Sequence, residues 1–232
     1  MDTNPHISGS LLISDIFQGL SSKQSTDLIK KGRLKKLQPN SILFHQGDPA
    51  ISCFIVNRGR LKLTKLNEQG KEVILRYIGV GEMTATIAVL KGRNYPVTAE
   101  STEESDVTSW DKQIMIQVMR QYPDIAINLL GIILERIDDI QNRYLEVCTE
   151  RVDQRIARSL LRLMQRAGSK TRDGIRIDIA LSRQNIADYS GTTLYTVSRT
   201  LSAWEKKGWI KSGREQIIIT NPHALVQFAE TG

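Results

Sequence analysis

Residues 183–201, RQNIADYSGTTLYTVSRTL, carry residue types at the spacing two crossing helices need to present one of them to a DNA groove. Ala187 is small enough for the crossing point. Gly191, four positions on, tolerates positive φ in the turn, and Val197, six further, packs the second helix against the first. Ile186 and Leu201 complete that contact, and Ser182 and either Thr192 or Thr193 are placed to cap the two helices. The chemistry open to such a helix is hydrogen bonding to base edges and phosphates. A guanidinium matches guanine O6 and N7 with two bonds, and short hydroxyls reach phosphates or base edges. The following stretch, GWIKSGREQIIITNP, reads as strand, turn and strand, with Gly213 in the tight turn and 217–219 the apolar strand. That is the wing of a winged helix.

Charge agrees with a polyanionic partner at this end. The chain of 232 residues carries a formal net charge of +7, and residues 149–232 hold 14 Lys/Arg against 8 Asp/Glu. Other chemistries lack their residues. No nucleophile–base pair, phosphate loop or metal-ligand cluster is visible, so neither an enzyme nor a metal site is expected. The only cysteines are Cys53 and Cys148, which rules out a disulfide framework. The opening MDTNPHISGSLLISDIF is polar and acidic where a signal peptide is basic and then apolar, and no apolar run approaches the ~20 residues that cross a bilayer. A cytoplasmic chain with no membrane partner is expected.

Three kinds of element must position the motif. Over 34–110 short strands alternate with turns: Leu61, Leu63 and Leu66 mark one strand, 67–70 (NEQG) a turn, and VILRYI the next strand. Glycines at 47, 59, 70, 79, 81 and 92 lie in separate turns, which suits a small β-barrel or sandwich. From Pro123 a long helix begins. Its residues Leu130, Ile133, Ile137, Ile140, Tyr144 and Val147 follow steps of three and four, the a/d seam of a two-helix contact, so a homodimer is expected. Asp138, Asp139 and Arg143 lie off the seam and are expected to face water. From Thr149, RVDQRIARSLLRLMQRAG is an amphipathic helix with Val152, Ile156, Leu160, Leu163 and Met164 on one face and arginines on the other. GSKTRDG then reads as a loop and IRIDIA as a strand. The chain is thus expected to be α+β. Residues 1–122 form a small β-barrel or sandwich, 123–148 a dimerisation helix and 149–232 a winged helix-turn-helix.

In this order the segments resemble the CRP/FNR superfamily of bacterial transcriptional regulators over nearly the whole chain. HQGDPAISCFIVNRGRLKLTKLNEQGKEVILRYIGVGE resembles its cyclic-nucleotide-binding-like sensor, which makes residues 1–122 a jelly-roll β-barrel sensor domain, the heptad helix resembles its dimerisation helix, and LSRQNIADYSGTTLYTVSRTL its recognition motif. The resemblance implies a dimer reading an inverted-repeat site on double-stranded DNA, with RNA polymerase as a further partner. It places the guanine-reading arginine at Arg199, with Thr193, Thr196 and Ser198 as short donors and Ser182 and Arg183 as phosphate contacts. Wing residues Lys211 and Arg214 are expected on phosphates. Many members carry a glutamate before the recognition threonine. Tyr195 stands there, after Leu194, so Tyr195 stacking or bonding to a base edge, or Leu194 meeting a thymine methyl, changes the half-site.

The sensor departs further. The cyclic-nucleotide branch holds ribose with a Gly-Glu pair and phosphate with an Arg-Ser pair. Here those positions carry Ala85-Thr86 and Tyr95-Pro96, with Arg93 two residues from the second. Thr86, Arg93, Tyr95 and Pro96 therefore mark the effector pocket, and the effector is expected to be an unidentified small molecule or redox signal other than a cyclic nucleotide. The alternatives are a cAMP-type regulator of the same architecture or a haem-based gas sensor. The cofactor is unknown. No iron–sulfur cluster is expected, since no N-terminal cysteines supply it, and haem would need His6 or His45. Cys53 is expected in core packing, and Cys148, at the seam's end, is a redox candidate.

Overall fold

The computed structural model describes residues 14–231. They fall into two compact units, Met1–Asp138 and Asp139–Gly232, so the long helix contributes to both.

In the first unit, eight strands make two antiparallel four-stranded sheets. The first sheet runs β1 (Arg33–Leu37), β8 (Ser105–Asp111), β3 (Ser52–Arg58), β6 (Met83–Thr84). The second runs β2 (Ile42–Phe44), β7 (Thr98–Ser101), β4 (Leu61–Leu66), β5 (Glu72–Ile78). This is a jelly roll, with Ile55 and Val107 of one sheet and Leu61, Ile78 and Ala99 of the other in a single apolar core. Gly59 makes the β3–β4 turn at φ 81°, where a Cβ would run into Ser105 and the Glu104 carbonyl. The expected alternation in β4 is broken. A register shift between Leu63 and Thr64 turns Thr64 inward, and Leu66, the strand's last residue, is 46% exposed. Helices α1 (Ser22–Lys30), α2 (Thr86–Lys91) and α3 (Lys112–Gln121) complete the unit. Trp110 donates its indole N–H to the Leu28 carbonyl, tying β8 to α1.

Helix α4 spans Pro123–Thr149. Its inner face, Ile125, Leu129 and Ile132, packs on the sensor core, and Asn128 donates to the Ile16 and Gln18 carbonyls. Leu130, Ile137, Ile140, Tyr144 and Val147 are exposed, and so are Leu134 and Cys148. Ile133 is half-buried, because it sits beside the inward Ile132; the exposed stripe passes through Leu134 at that turn.

The second unit holds α5 (Val152–Ala167), α6 (Arg183–Ser190), α7 (Leu194–Lys206) and α8 (Pro222–Thr231) around an antiparallel sheet. The sheet runs β11 (Ile210–Gly213), β12 (Gln216–Ile219), β10 (Gly174–Ile177), β9 (Gly168–Thr171). Ile156, Leu160 and Leu163 of α5 are fully buried, and Val152 and Met164 lie at the edge of that face. The segment GSKTRDG is not a simple loop. Its first four residues are β9, which pairs with β10. Asp138 and Asp139 are exposed as expected. Arg143 is half-buried rather than freely water-facing: burial pulls its guanidinium below the usual arginine range, aided by Arg162 and Arg166 and opposed by the Tyr189 phenol and Asp139.

Candidate nucleic-acid interface

The turn between α6 and α7 forms for local reasons. Ser182 Oγ accepts the Asn185 N–H, and the Asn185 side chain returns to the Ser182 backbone N–H, a reciprocal cap that starts α6. Gly191 ends α6 at φ 66°, a left-handed value that costs glycine little. Thr193 then caps α7 through the Thr196 N–H. Ala187, Ile186, Val197 and Leu201 are fully buried where the helices cross.

Burying Val197, Leu201 and Trp204 fixes which face of α7 looks outward. Tyr195 is 74% exposed, Leu194 46%, and Arg199 is exposed one turn after Tyr195 on the same face. Ser198 and Thr196 are half-buried beside them. The Thr193 hydroxyl accepts the cap and also meets Thr196 Oγ1 at 2.9 Å, a bond that uses one of the two hydroxyl protons and leaves the other free to donate. Ser182 is likewise engaged in its cap, whereas Arg183 is exposed. A groove of about 620 Å³ flanks α7, with Arg151, Arg199 and Lys207 on its wall beside Trp204.

In the wing the two-residue turn is Arg214-Glu215. Gly213 is paired with Gln216, and the left-handed residue is Glu215 at φ 56°, not a glycine. Arg214 is therefore at the tip. Lys211, three residues back on β11, pairs with Asp173 at 3.1 Å. Both partners are more than half exposed, so that pair is weak and yields to a stronger anion.

The arginine face of α5 is not a free cationic surface. Arg158, Arg162 and Arg166 meet Glu150, Glu146 and Asp139 at 2.7, 2.6 and 3.0 Å. Two residues the sequence reading passed over join the same region: Tyr189, buried on α6 under the Arg143 guanidinium, and Arg155, which donates to the Gly191 carbonyl. No local spacing marks them, because their partners lie 46 and 36 positions away.

Of the four sensor residues two are buried and two exposed. Tyr95 is buried, its ring stacked 4.0 Å from Phe44 and its hydroxyl bonded to the Ser52 N–H and carbonyl. Burial pushes its phenol above the usual range, against those bonds. Arg93 and Pro96 are exposed. Thr86 is buried at the start of α2, after Ala85 at φ 65°, and its hydroxyl has no partner among the described residues. Glu82 ion-pairs with Arg76 and accepts the Gly79 N–H. Cys53 is fully buried and its thiol is pushed up to about 12, chiefly by desolvation. His6 lies outside the described residues. No group of three or more His, Cys, Asp or Glu poised to hold a metal, and no helix long and apolar enough to cross a membrane, occurs among the described residues.

Comparison with known proteins bears on both units. Residues 34–122 match the family model described as cyclic nucleotide-binding domain, and residues 154–228 the one described as Crp-like helix-turn-helix domain. The CRP-like cAMP-activated global transcriptional regulator of Mycobacterium tuberculosis is 23% identical over 92% of this chain and 96% of that protein. The transcriptional activator protein Anr of Pseudomonas aeruginosa is 27% identical over 88% of this chain and 82% of its own. A CooA mutant from Carboxydothermus hydrogenoformans superimposes with a TM-score of 0.74 at 19% identity, over 98% of this chain and 97% of that one.

Proposed function

This chain belongs to the CRP/FNR superfamily of transcriptional regulators, and from that premise we propose that it works as a cytoplasmic homodimer that reads an inverted-repeat DNA site under the control of a ligand other than a cyclic nucleotide. The observation that carries the DNA reading is the outer face of α7, where Tyr195 and Arg199 stand one turn apart and exposed while the opposite face is sealed by Val197, Leu201 and Trp204. An α-helix fits the major groove, and an arginine there recognises guanine. Arg183 and Arg214, exposed on either side of that face, serve phosphates. The exposed stripe on α4 supports the dimer: an apolar seam of that length stays in water only in a protomer without its partner.

For the effector, Tyr95 supports a ligand without a cyclic phosphate. A buried phosphate needs a cation beside it, and the residue at that position is an aromatic ring already stacked and hydrogen-bonded. The unpartnered Thr86 hydroxyl is where we place a polar group of the effector. RNA polymerase enters as a partner through membership of the superfamily. The test is selection of a DNA site from random sequence by the purified protein, followed by titration with cyclic AMP. An inverted repeat whose affinity cyclic AMP leaves unchanged is the expected result. A saturable rise in affinity or melting temperature at micromolar cyclic AMP overturns the effector reading, and a site without two-fold symmetry overturns the dimeric one.

A further inference from the structure

Two stripes run side by side along the last turns of α4. One is the exposed apolar set Ile140, Tyr144 and Val147. The other lies one residue back, about 100° round the helix: Asp139, Arg143 and Glu146, continued by Glu150, whose N–H still bonds the Glu146 carbonyl. Every member of this second stripe is tied to the rest of the DNA-binding unit. Its three carboxylates meet α5 arginines in reverse chain order, as antiparallel helices require, and the inner rungs Glu146–Arg162 and Glu150–Arg158 are largely shielded from water. Shielded pairs hold geometry, because parting them strands a desolvated charge.

Arg143 reaches the helix-turn-helix itself. Its guanidinium carbon lies 4.4 Å from the centre of the Tyr189 ring, and it donates to the phenol oxygen. With Arg162 and Arg166 nearby, the Tyr189 phenol and the Asp139 carboxylate favour its charge against burial. Arg155 adds a second tie, donating to the Glu150 carbonyl at 3.3 Å and to the Gly191 carbonyl in the α6–α7 turn at 3.4 Å. The helix segment bearing the seam and the turn that launches the recognition helix are thus held in one frame, inside residues 139–232.

We propose that this clamp, with Arg143 and Tyr189 as its positioning residues, fixes the recognition helix relative to the dimer seam and so sets the half-site spacing the protein accepts. The inference rests on the dimeric, inverted-repeat reading above. In a two-fold dimer the seam defines the axis, and the distance of each recognition helix from that axis becomes the distance between half-sites. Loosening the clamp leaves each helix able to read its bases and lets the spacing wander.

The experiment measures binding of the full chain to inverted repeats whose spacer changes one base pair at a time, beside a probe with a single half-site. Wild type should favour one spacer over its neighbours by about tenfold or more. Arg143→Met should shrink that preference to about threefold while half-site affinity stays within about threefold of wild type. Tyr189→Phe, which keeps the ring, should retain most of the preference. If Arg143→Met melts before it can be assayed, Glu146→Gln removes one rung and should relax the spacing in the same direction. The clamp is refuted if the variant assayed keeps the wild-type preference, or if full-site and half-site affinities fall by the same factor. A wild type that binds one half-site as well as the repeat overturns the dimeric reading and this inference with it.

Discussion

Arg199→Ala tests how DNA is read. Arg199 is exposed on α7, and no carboxylate pairs with it among the described residues. It therefore gives up no internal ion pair to meet a base, and its removal strands no buried charge. The folded protein should hold its stability to within about 0.5 kcal/mol, as surface substitutions do. On DNA the loss is larger. A bidentate pair to guanine discriminates by about 1–3 kcal/mol, and a two-fold dimer loses two of them, so about 2–6 kcal/mol disappears if the losses add. At 1.4 kcal/mol per factor of ten, affinity falls by a factor between about 30 and about 20,000. The assay is fluorescence anisotropy at fixed salt on the selected site and on single-base variants of it. Wild type should penalise a change at the contacted base pair, and Arg199→Ala should be indifferent to it. If Arg199→Ala instead weakens all sequences by one common factor, Arg199 touches phosphate and the specificity lies with Tyr195, which is 74% exposed one turn earlier.

Ile137→Asp should give a folded monomer, because Ile137 is 44% exposed in the protomer but would place two carboxylates in the seam, at a cost of several kcal/mol; an intact dimer in sedimentation would refute the seam. Arg214→Ala should lower the salt slope of binding by about one unit per subunit, whereas Lys211→Ala, freed of Asp173, should do less; equal slopes would show that the strand lysine meets phosphate as well as the tip arginine does. Cys53 should resist alkylation up to pH 10 and react only on unfolding. Its raised value of about 12 keeps the thiol protonated there, and the thiolate is the reactive form. Peptide mapping that finds Cys53 modified in the native protein at pH 8 would contradict this. Gly191→Ala should cost about 1–2 kcal/mol from its left-handed backbone alone, since nothing lies within 4 Å of an added Cβ; a thermal melt equal to wild type would refute that reasoning.

The DNA-reading motif was legible in the chain because its determinants are local. Ala187, Gly191 and Val197 lie within eleven residues, and their capping hydroxyls lie next to them. That the first part is a small β-barrel or sandwich was legible from its turns for a similar reason. What escaped needed knowledge of distant neighbours. The shift that turns Thr64 inward depends on pairing with β5. The wing turn was assigned to Gly213 because glycine is the usual left-handed residue, yet Glu215 holds that conformation, its carbonyl accepting the Leu181 N–H. Arg143 read as solvated because its partner, Tyr189, lies 46 positions on. Tyr95 read as a pocket residue because only a folded chain reveals Phe44 and Ser52 around it.

The ion pairs along α5 bear on how such a protein finds its site. A regulator meets about 10⁶–10⁹ competing sequences on a chromosome. Its hold on them comes from counterions released as its cations neutralise phosphates. Arginines turned toward Glu150, Glu146 and Asp139 displace few counterions, since each already faces an anion. The basic composition of residues 149–232 thus overstates how tightly the protein grips arbitrary DNA. The cations left outward include Arg183, Arg199 and Arg214, on the elements proposed to meet a chosen site. Such a division keeps residence on random sequence short, and leaves more of each molecule's time for sampling new sequence.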